Sequence, residues 1–581
     1  MSFTYDGVTT NLAQPTPAAV AAYSATFGTE TVPGGAAFPA GTTLTLPADG
    51  SALPTIAALD AAATGGTLNT TTDAVLAPAV SGDTNVLMVE GGNSVFAPAG
   101  YSVIADLPSS PGPTIFTSGT QPSTVLGGQF GMTVWDNSAN ETVYTGGGDN
   151  VIGMSSTVME SLDVVLSGVN EVVAIGIGDA TITGGGYFNT IWGSGSSGQS
   201  NLVVDLVQGS SSVMAGMGSN TIDLGGTSDV IFGGYGTNND TISGANDIYV
   251  AGSGASTVTA GASDVIFAGS NTMDATIGGA GAIFVGSAGN DTINASTGAT
   301  GWGGSGTMNF ISSGNTTIIG AYGATTAIQN SGTGDYFNNG AGIMTVSGGS
   351  GPATITENWA GKGGMLVNAG ANGGDTINMT EGTTTVVAGS ANNSINFYGN
   401  ASGNVWLAQG NTVDLASSGY VAVNDTTAAL SGNNLINAQS DTGTANITVS
   451  ANFDTVMGGA GTNIYTPVVP SNDAGSDGVI YNGTGMNELV LQNQPMFASS
   501  TLYMMNFNPN RDYIDFRGFG SPAVAQEAAA AAQLSLVAGG GQNAFVTGFQ
   551  VGYATIELYS GSSFSGGAPM PNIVSSHFIY G

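Results

Sequence analysis

The sequence predicts an all-β protein built mainly as a parallel β-solenoid, a stack of coils of about 18–20 residues each. Glycine accounts for 95 of the 581 residues, far above its usual share of about 7%. These glycines separate short runs of Val, Ile, Phe and Thr, as turns separate closely spaced strands. The runs also recur at a fixed short interval, which is the pattern of stacked coils.

The repeat is clearest in the middle of the chain, where two kinds of strand alternate. One kind has three consecutive apolar residues and starts every 17 or 18 residues, and the other has one apolar residue between polar neighbours. The first kind comprises DVIFGG (229–234), DIYVAG (247–252), DVIFAG (264–269) and AIFVGS (282–287), and the second comprises DTIS (240–243), STVT (256–259), ATIG (275–278) and DTIN (291–294). Later segments at 365–370, 385–390 and 405–410 repeat every 20 residues. At about 4.8 Å per coil, the whole repeat would form a rod on the order of 100 Å long.

Composition divides the chain into three regions. Residues 1–80 are rich in Pro, Thr and Ala and predict a small β-rich N-terminal region, with 42–46 as one candidate strand. Residues 81–466 carry the solenoid repeats. Residues 467–581 contain Ser521-Pro522 before an alanine-rich run, which predicts a helix with a serine N-cap and proline at its first position. This last region is expected to cap the open end of the solenoid.

Charge limits the partners of the protein. The net charge is −35, with 38 acidic residues against three basic ones, Lys362, Arg511 and Arg517. That balance excludes binding to the phosphate backbone of nucleic acids and disfavours anionic membranes. The sequence contains no uninterrupted run of 18 apolar residues, so it does not predict a membrane-spanning helix. The unbalanced charge opposes compaction, so we expect a bound cation, and Ca²⁺ suits carboxylate and carbonyl oxygens.

Glycine-rich turns supply candidate ligands for that calcium. GSAGNDTIN (286–294) nearly matches the G-G-x-G-x-D-x-U-x calcium nonapeptide, with Asp291 at the acidic position. GGAGTNIYT (458–466) matches except that Asn463 replaces the aspartate, and GGGDN (146–150) with Asp149 is a looser relative. The alternative is that these are ordinary Gly-Asn-Asp turns, which every solenoid corner needs.

The segment LYMMNFNPNRDYIDFRGFG (502–520) resembles the region that follows the repeats in RTX proteins, which bacteria export by type I secretion. Asn506, Phe507, Asp512, Ile514, Asp515 and Phe516 fall at matching places. The resemblance implies calcium at Asp512 and Asp515, and export to the cell surface or medium by an uncleaved C-terminal signal. The N-terminus, which has no basic or apolar signal region, agrees with that expectation. The alternative for the two aspartates is a local ion pair with Arg511 and Arg517.

Candidate catalytic groups are scarce. His577 is the only histidine, no cysteine is present, and no spacing indicates a carboxylate pair of a glycosidase. We therefore expect that the protein is not an enzyme.

The strands with three apolar residues predict an exposed apolar stripe. One face of each strand must lie inside, and we assign to it the first and third apolar residues, such as Val230 and Phe232. Ile231, Tyr249, Ile266 and Phe284 then point outward, with Leu366, Val386 and Trp406 in the same place in later coils. Such a stripe packs on another subunit or on the chain's own N-terminal region.

These features favour a self-assembling extracellular structural protein, in a filament, surface layer or biofilm matrix. The alternative is an adhesin or polysaccharide-binding module that uses exposed Tyr and Trp. An ice-binding rod, with an outward ladder of Thr241, Thr257, Thr276 and Thr292, is disfavoured because the spacings of 16, 19 and 16 residues are irregular.

Overall fold

The computed structural model confirms the parallel β-solenoid. It describes residues 2–5, 8–11, 57–58, 66–69, 74–76, 85–90, 94–97, 101–107 and most of 113–579. The parts of 113–579 left out are 118–122, 137–139, 155–159, 195–199, 321, 358–362, 371–373, 391, 426–431, 451–453, 469–477, 493–500, 539–545, 552–553 and 561–577. The candidate strand at 42–46, Lys362 and His577 lie outside the described residues. The chain forms two compact units, Met1–Asp291 and Thr292–Gly581.

The first unit contains two parallel sheets, and each coil contributes one strand to each sheet. Sheet 1A consists of Ala57–Ala58, Ala74–Leu76, Ser94–Ala97, Thr114–Thr117, Thr133–Asp136, Val151–Met154, Val172–Ala174, Thr190–Trp192, Ser212–Met214, Val230–Phe232, Ile248–Val250, Val265–Phe267 and Ile283–Val285. Sheet 1B consists of Gly66–Asn69, Asn85–Glu90, Tyr101–Leu107, Thr124–Leu126, Glu141–Tyr144, Glu160–Leu166, Gly178–Gly184, Leu202–Leu206, Asn220–Leu224, Asn238–Ala245, Ser256–Ala262 and Met273–Ile277. Ser2–Tyr5 and Val8–Asn11 form a separate antiparallel pair.

The core of the first unit lies between sheets 1A and 1B. Each three-residue strand of sheet 1A buries its middle side chain, and each strand of sheet 1B buries alternate residues. Ile231 is fully buried, and so is Ile222 of sheet 1B. In-register pairing, such as Ile231 with Tyr249, stacks these side chains into inner columns.

The second unit repeats this architecture, and several strands of its sheet 2A have four to six residues. Sheet 2A consists of Thr300–Trp302, Thr317–Ile319, Asp335–Asn338, Ala353–Glu357, Thr376–Met379, Ser394–Gly399, Thr412–Ser417, Leu435–Asn437, Thr455–Met457, Gly478–Tyr481, Thr501–Met505 and Ala554–Tyr559, with Val546–Val551 antiparallel to the last. Sheet 2B consists of Thr307–Ser312, Thr325–Gln329, Met344–Ser347, Gly364–Asn368, Thr383–Val387, Ser402–Leu407, Tyr420–Asp425, Thr444–Ser450, Thr462–Val468, Met486–Gln492, Tyr513–Gly518 and Phe578–Ile579. The strand Asn290–Ala295 spans the division between the units.

The ends of the solenoid extend past the range 81–466 that the repeats define. Parallel pairing already joins Ala57–Ala58 to Ala74–Leu76, and it continues through Thr501–Met505 to Ala554–Tyr559. Prolines and irregular turns hide the period in these parts of the sequence, because pairing between coils depends on the strands and not on the turns.

The predicted helix is present at Pro522–Ala538. The Ser521 carbonyl accepts a hydrogen bond from the Ala525 N–H, and its hydroxyl accepts one from the Val524 N–H at 3.5 Å. Ser521 therefore acts as the N-cap, with Pro522 at the first helical position. No helix in the described part of the chain combines the length and the hydropathy needed to cross a bilayer.

Candidate functional site: an apolar outer face

The side chains of sheet 1A face the opposite way from our prediction. Ile231, Tyr249, Ile266 and Phe284 are all fully buried, so they belong to the core and not to an outer stripe. Their neighbours point outward instead, and Phe232 and Phe267 are 43% and 40% exposed. The prediction that these strands have two apolar faces is correct, but the inner and outer faces are exchanged.

The later residues assigned to the same stripe do not form one column. Leu366 and Trp406 are exposed, whereas Val386 is fully buried. Register explains the difference, because Leu366 pairs with Thr385 while Val386 pairs with Val405.

The outer face of sheet 1A is uncharged and mostly apolar over nine consecutive strands, from Thr133–Asp136 to Ile283–Val285. Each strand presents its first and third residues, and the pairing between strands is in register throughout. We call these residues the apolar face. Its first column is Thr133, Val151, Val172, Thr190, Ser212, Val230, Ile248, Val265 and Ile283, and its third column is Trp135, Gly153, Ala174, Trp192, Met214, Phe232, Val250, Phe267 and Val285.

The large side chains of the apolar face are well exposed. Seven of them, from Val151 at 37% to Trp192 at 51%, are more than a third exposed. No residue of either column is charged, although the chain as a whole has a net charge of −35. Trp135 lies across the next coil, where a Cβ on Gly153 would stand only 2.4 Å from its ring.

The outer face of sheet 1B is polar, and so is the outer face of sheet 2A in its middle coils, so the fold itself does not require an apolar outer face. Sheet 1B presents two columns of Thr, Asn and Asp with one valine; these are Thr181, Val203, Thr221, Asn239, Thr257 and Asp274, and Thr183, Asp205, Asp223, Thr241, Thr259 and Thr276. In the second unit, sheet 2A presents residues such as Thr354, Thr356 and Asn378, and the Asn378 Oδ1 accepts a hydrogen bond from Asn396 at 2.9 Å.

The threonine ladder also differs from the predicted one. Thr241 is in register with Thr259 and Thr276, whereas Thr257 stands in the neighbouring column between Asn239 and Asp274. Aspartates interrupt both columns, so the surface is not a uniform threonine array.

The five predicted calcium ligands lie in different surroundings. Among the described residues, no three acidic or histidine side chains converge on a point that could hold a metal. Asp149 is exposed and its Oδ1 accepts a hydrogen bond from Asn170 at 3.2 Å. Asp291 is buried on the inner face of its strand, and its Oδ1 has no hydrogen-bond partner among the described residues. Burial raises the pKa of Asp291 to about 6, although a backbone hydrogen bond from Ser287 opposes the shift.

Asn463 binds its own glycine-rich turn through its side-chain amide. Its Nδ2 donates to the carbonyls of Gly459 and Gly461 at 3.2 and 3.5 Å, and to the Asn487 Oδ1 at 3.0 Å. An amide nitrogen is a donor only, so it satisfies the inward carbonyls of the turn without an ion.

Asp512 is held by protein donors. The Asn487 Nδ2 and the Arg511 Nε donate to its Oδ1 at 2.8 and 2.9 Å, and the Asn482 Nδ2 and the Asn508 N–H donate to its Oδ2 at 2.9 and 2.8 Å. These four donors match the four lone-pair sites of a carboxylate.

Asp515 is paired with Arg517, whose Nη2 lies 2.6 Å from the carboxylate and 2.8 Å from Glu488. Burial raises the pKa of Asp515, but hydrogen bonds from Arg517 outweigh burial and hold it below its usual value. The ion pairs that we gave as the alternative for both aspartates are therefore present, and calcium at Asp512 and Asp515 stays a prediction.

A buried acidic column that the sequence reasoning missed lies beside the apolar face. Asp229, Asp247 and Asp264 immediately precede three strands of sheet 1A, and all three are fully buried. Each of these carboxylates accepts a hydrogen bond from a backbone N–H of the preceding coil, at 2.7–2.9 Å. The donors are the N–H groups of Ser211 to Asp229, Asp229 to Asp247, and Asp247 to Asp264, and each acceptor is the Oδ1 atom. The sequence signal for this column is the aspartate that recurs directly before V-I-F and I-Y-V.

Comparison of the chain with protein-family models, with curated proteins and with solved structures gives no match. The parallel β-solenoid is thus established by the structure itself.

Proposed function

We propose that this protein is a self-assembling extracellular structural protein of a bacterium, which forms a filament, a surface layer or a biofilm matrix. The observation that carries the proposal is the apolar face. Patches of several hundred Å² usually mark interaction sites on soluble proteins. A protein with a net charge of −35 that leaves one sheet face uncharged and apolar has a surface suited to contact.

A structural role fits the chemistry of the side chains better than an enzymatic one. The sequence has one histidine and three basic residues, and Arg511 and Arg517 are engaged in ion pairs. We therefore propose no catalytic activity for this protein.

Calcium is a proposed stabilising ligand. The support for it is the excess of acidic residues and the presence of buried carboxylate oxygens without donors among the described residues, on Asp291, Asp229 and Asp247. Of the five residues predicted from the sequence, Asp291 has the strongest claim, because Asn463, Asp512 and Asp515 already have protein partners.

Export by type I secretion is also a proposal, and it rests on the resemblance of residues 502–520 to RTX proteins. The test is to fuse residues from 495 onward to a reporter in a bacterium that carries a type I exporter. We expect the reporter in the medium without N-terminal processing. A reporter that stays in the cells, while a known exported control leaves them, would contradict the proposal.

Electron microscopy of the purified full-length protein tests self-assembly, with and without added calcium over a range of protein concentrations. We expect filaments or sheets whose amount rises with concentration. Particles of monomer size under every condition would contradict the proposal.

The alternative, a polysaccharide-binding adhesin, is favoured by aromatic side chains that stand free at the corners of the coils. Tyr235 and Tyr322 are 73% and 75% exposed, and aromatic rings with one apolar side and one polar end suit sugars. Retention on bacterial polysaccharides that is lost in Tyr235→Ala and Tyr322→Ala, together with the absence of self-assembly, would favour this alternative.

A further inference from the structure

We propose that the apolar face is the contact between two copies of this chain, packed face to face about a twofold axis parallel to the direction in which the coils stack. This inference rests on the proposed function and identifies the partner of the same surface.

Charge selects a second copy as the partner. A basic partner would be drawn to the acidic surfaces, for example the outer face of sheet 1B with Asp205, Asp223 and Asp274. Two copies that each carry −35 repel each other through almost any other surface. The apolar face is a broad area where neither copy presents a charge, so it offers the approach with the least repulsion.

The area of the face is sufficient for a specific dimer. Nine strands about 4.8 Å apart span roughly 40 Å along the stack. Because a large aromatic side chain has about 150–250 Å² of surface to bury, the exposed parts of Trp135, Trp192, Met214, Phe232 and Phe267, with the β-branched residues beside them, amount to roughly 600 Å² per copy. Two copies would bury about 1,200 Å², which lies at the lower end of stable interfaces.

The two columns determine the axis. In several coils a large third-column residue stands beside a smaller first-column residue, as Trp192 does beside Thr190 and Phe232 beside Val230. A twofold axis along the stack sets the third column of one copy over the first column of the other, so large side chains meet small ones. A twofold axis along the strands would set the third columns against each other, and large side chains would then collide at Trp192 and Phe232.

Two other outer faces of the same protein, those of sheet 1B and of the middle coils of sheet 2A, support the choice of this one. Sheet 1B has the same spacing between coils but presents Thr257 and Thr259 outward, and sheet 2A presents Thr354 and Thr356. An isologous contact uses the same patch on both copies and is closed, so the dimer is the unit that further contacts would join into larger assemblies.

The test compares two double variants of equal charge in the full-length protein. Phe232→Asp with Phe267→Asp places two carboxylates on the apolar face, and Val203→Asp with Thr257→Asp places two on the outer face of sheet 1B, as a control. All four positions are exposed, so both variants should keep the circular dichroism of the wild type. Sedimentation velocity should show that the dissociation constant of the dimer rises at least 100-fold in the first variant and is unchanged in the second. If the first variant does not fold, Phe232→Ser with Phe267→Ser replaces it.

A cross-linking experiment tests the axis, since the chain has no native cysteine. With the axis along the stack, the last coil of the face lies opposite itself, so Val285→Cys should cross-link to Val285→Cys through a short bismaleimide. With the axis along the strands, Val285 would instead lie opposite Trp135 of the partner, about 40 Å from its own counterpart.

Each outcome decides a different point. A wild type that stays monomeric contradicts both the proposed function and this inference. A Phe232/Phe267 variant that assembles like the control overturns the inference and leaves the proposed function standing. Cross-links that form only in a mixture with Trp135→Cys overturn the stated axis.

Discussion

Phe188 shows how one residue departs from the pattern of its neighbours. At one corner of the coils the chain turns through the left-handed region, where φ lies between 54° and 65°. The residues at this corner are Asn170, Phe188, Ser210, Ser228, Asn246 and Ser263. Asn is readily accommodated in this region, whereas a bulky aromatic residue is a strained outlier. Phe188 is nevertheless 59% exposed, close in sequence to Trp192 of the apolar face.

Replacing Phe188 by Asn should therefore stabilise the isolated protein and weaken its assembly. Relief of the strained backbone is worth about 1 kcal/mol, while the assembly loses an exposed aromatic ring near the edge of the apolar face. Chemical denaturation at low protein concentration measures the first effect, and sedimentation the second. Ser210→Asn, at the same corner, is the control and should change neither. A loss of stability in Phe188→Asn would show that the ring packs on its own chain.

At the scale of the element, the corner before several strands of sheet 1A is held by a side-chain oxygen that accepts a backbone hydrogen bond. Asn150 and Asn189 fill this position with their Oδ1 atoms bonded to the Met132 and Glu171 N–H groups. Asp229 does the same with a carboxylate. Burial raises the pKa of Asp229 to about 6, backbone hydrogen bonds oppose the shift, and the charge of Asp247 adds to it.

In the absence of calcium, Asp229→Asn should stabilise the protein at pH 8 and leave it unchanged at pH 4. The folded state binds the Asp229 proton more tightly than the unfolded state does, so wild-type stability falls as the pH rises from about 4 to about 6. The amide keeps the hydrogen bond without the buried charge, and the expected gain at pH 8 is about 1–3 kcal/mol. Denaturation at both pH values measures the gain, and exposed Asp205→Asn is the control. An equal gain at pH 4 would exclude ionisation as its cause.

The elements also show which features the sequence determines. The coil period and the helix cap could be predicted because they depend on local spacing and on Ser521-Pro522. A triplet such as V-I-F does not show which face of sheet 1A lies inside. Successive residues point to opposite faces, and here the residues on both faces are apolar. Thr190-Ile191-Trp192 and Ser212-Val213-Met214 contain the missing signal: their polar first residue indicates that the middle residue lies inside.

The turns set a second limit on what the sequence determines. A calcium-binding turn and an amide-filled turn share the same glycines and differ only in the sixth residue. Asn463 and Asp291 therefore occupy the same position of the motif. The Asn463 amide donates hydrogen bonds to the turn carbonyls, whereas an ionised Asp291 carboxylate has no hydrogen to donate. Whether a cation completes the Asp291 turn depends on atoms that no sequence pattern specifies.

At the scale of the whole molecule, assembly is a balance between the apolar face and the net charge. Contact between copies removes apolar surface from water, which is favourable and only weakly affected by moderate salt. The charge of −35 on each copy opposes contact over distances set by the Debye length, about 10 Å in 0.1 M salt and about 3 Å in 1 M salt. Salt therefore weakens the opposing force and leaves the attraction intact.

We expect added NaCl to promote assembly and calcium to do so at much lower concentration. Raising NaCl from 0.05 to 0.5 M should lower the protein concentration needed for assembly about tenfold, because the repulsion is screened. Light scattering against protein concentration gives this value, and the Phe232→Asp/Phe267→Asp variant is the control, since it lacks the attraction that screening would reveal. If the copies were instead held together by ionic contacts, salt would disperse them. Dissolution of preformed assemblies in 0.5 M NaCl would thus contradict an apolar contact directly.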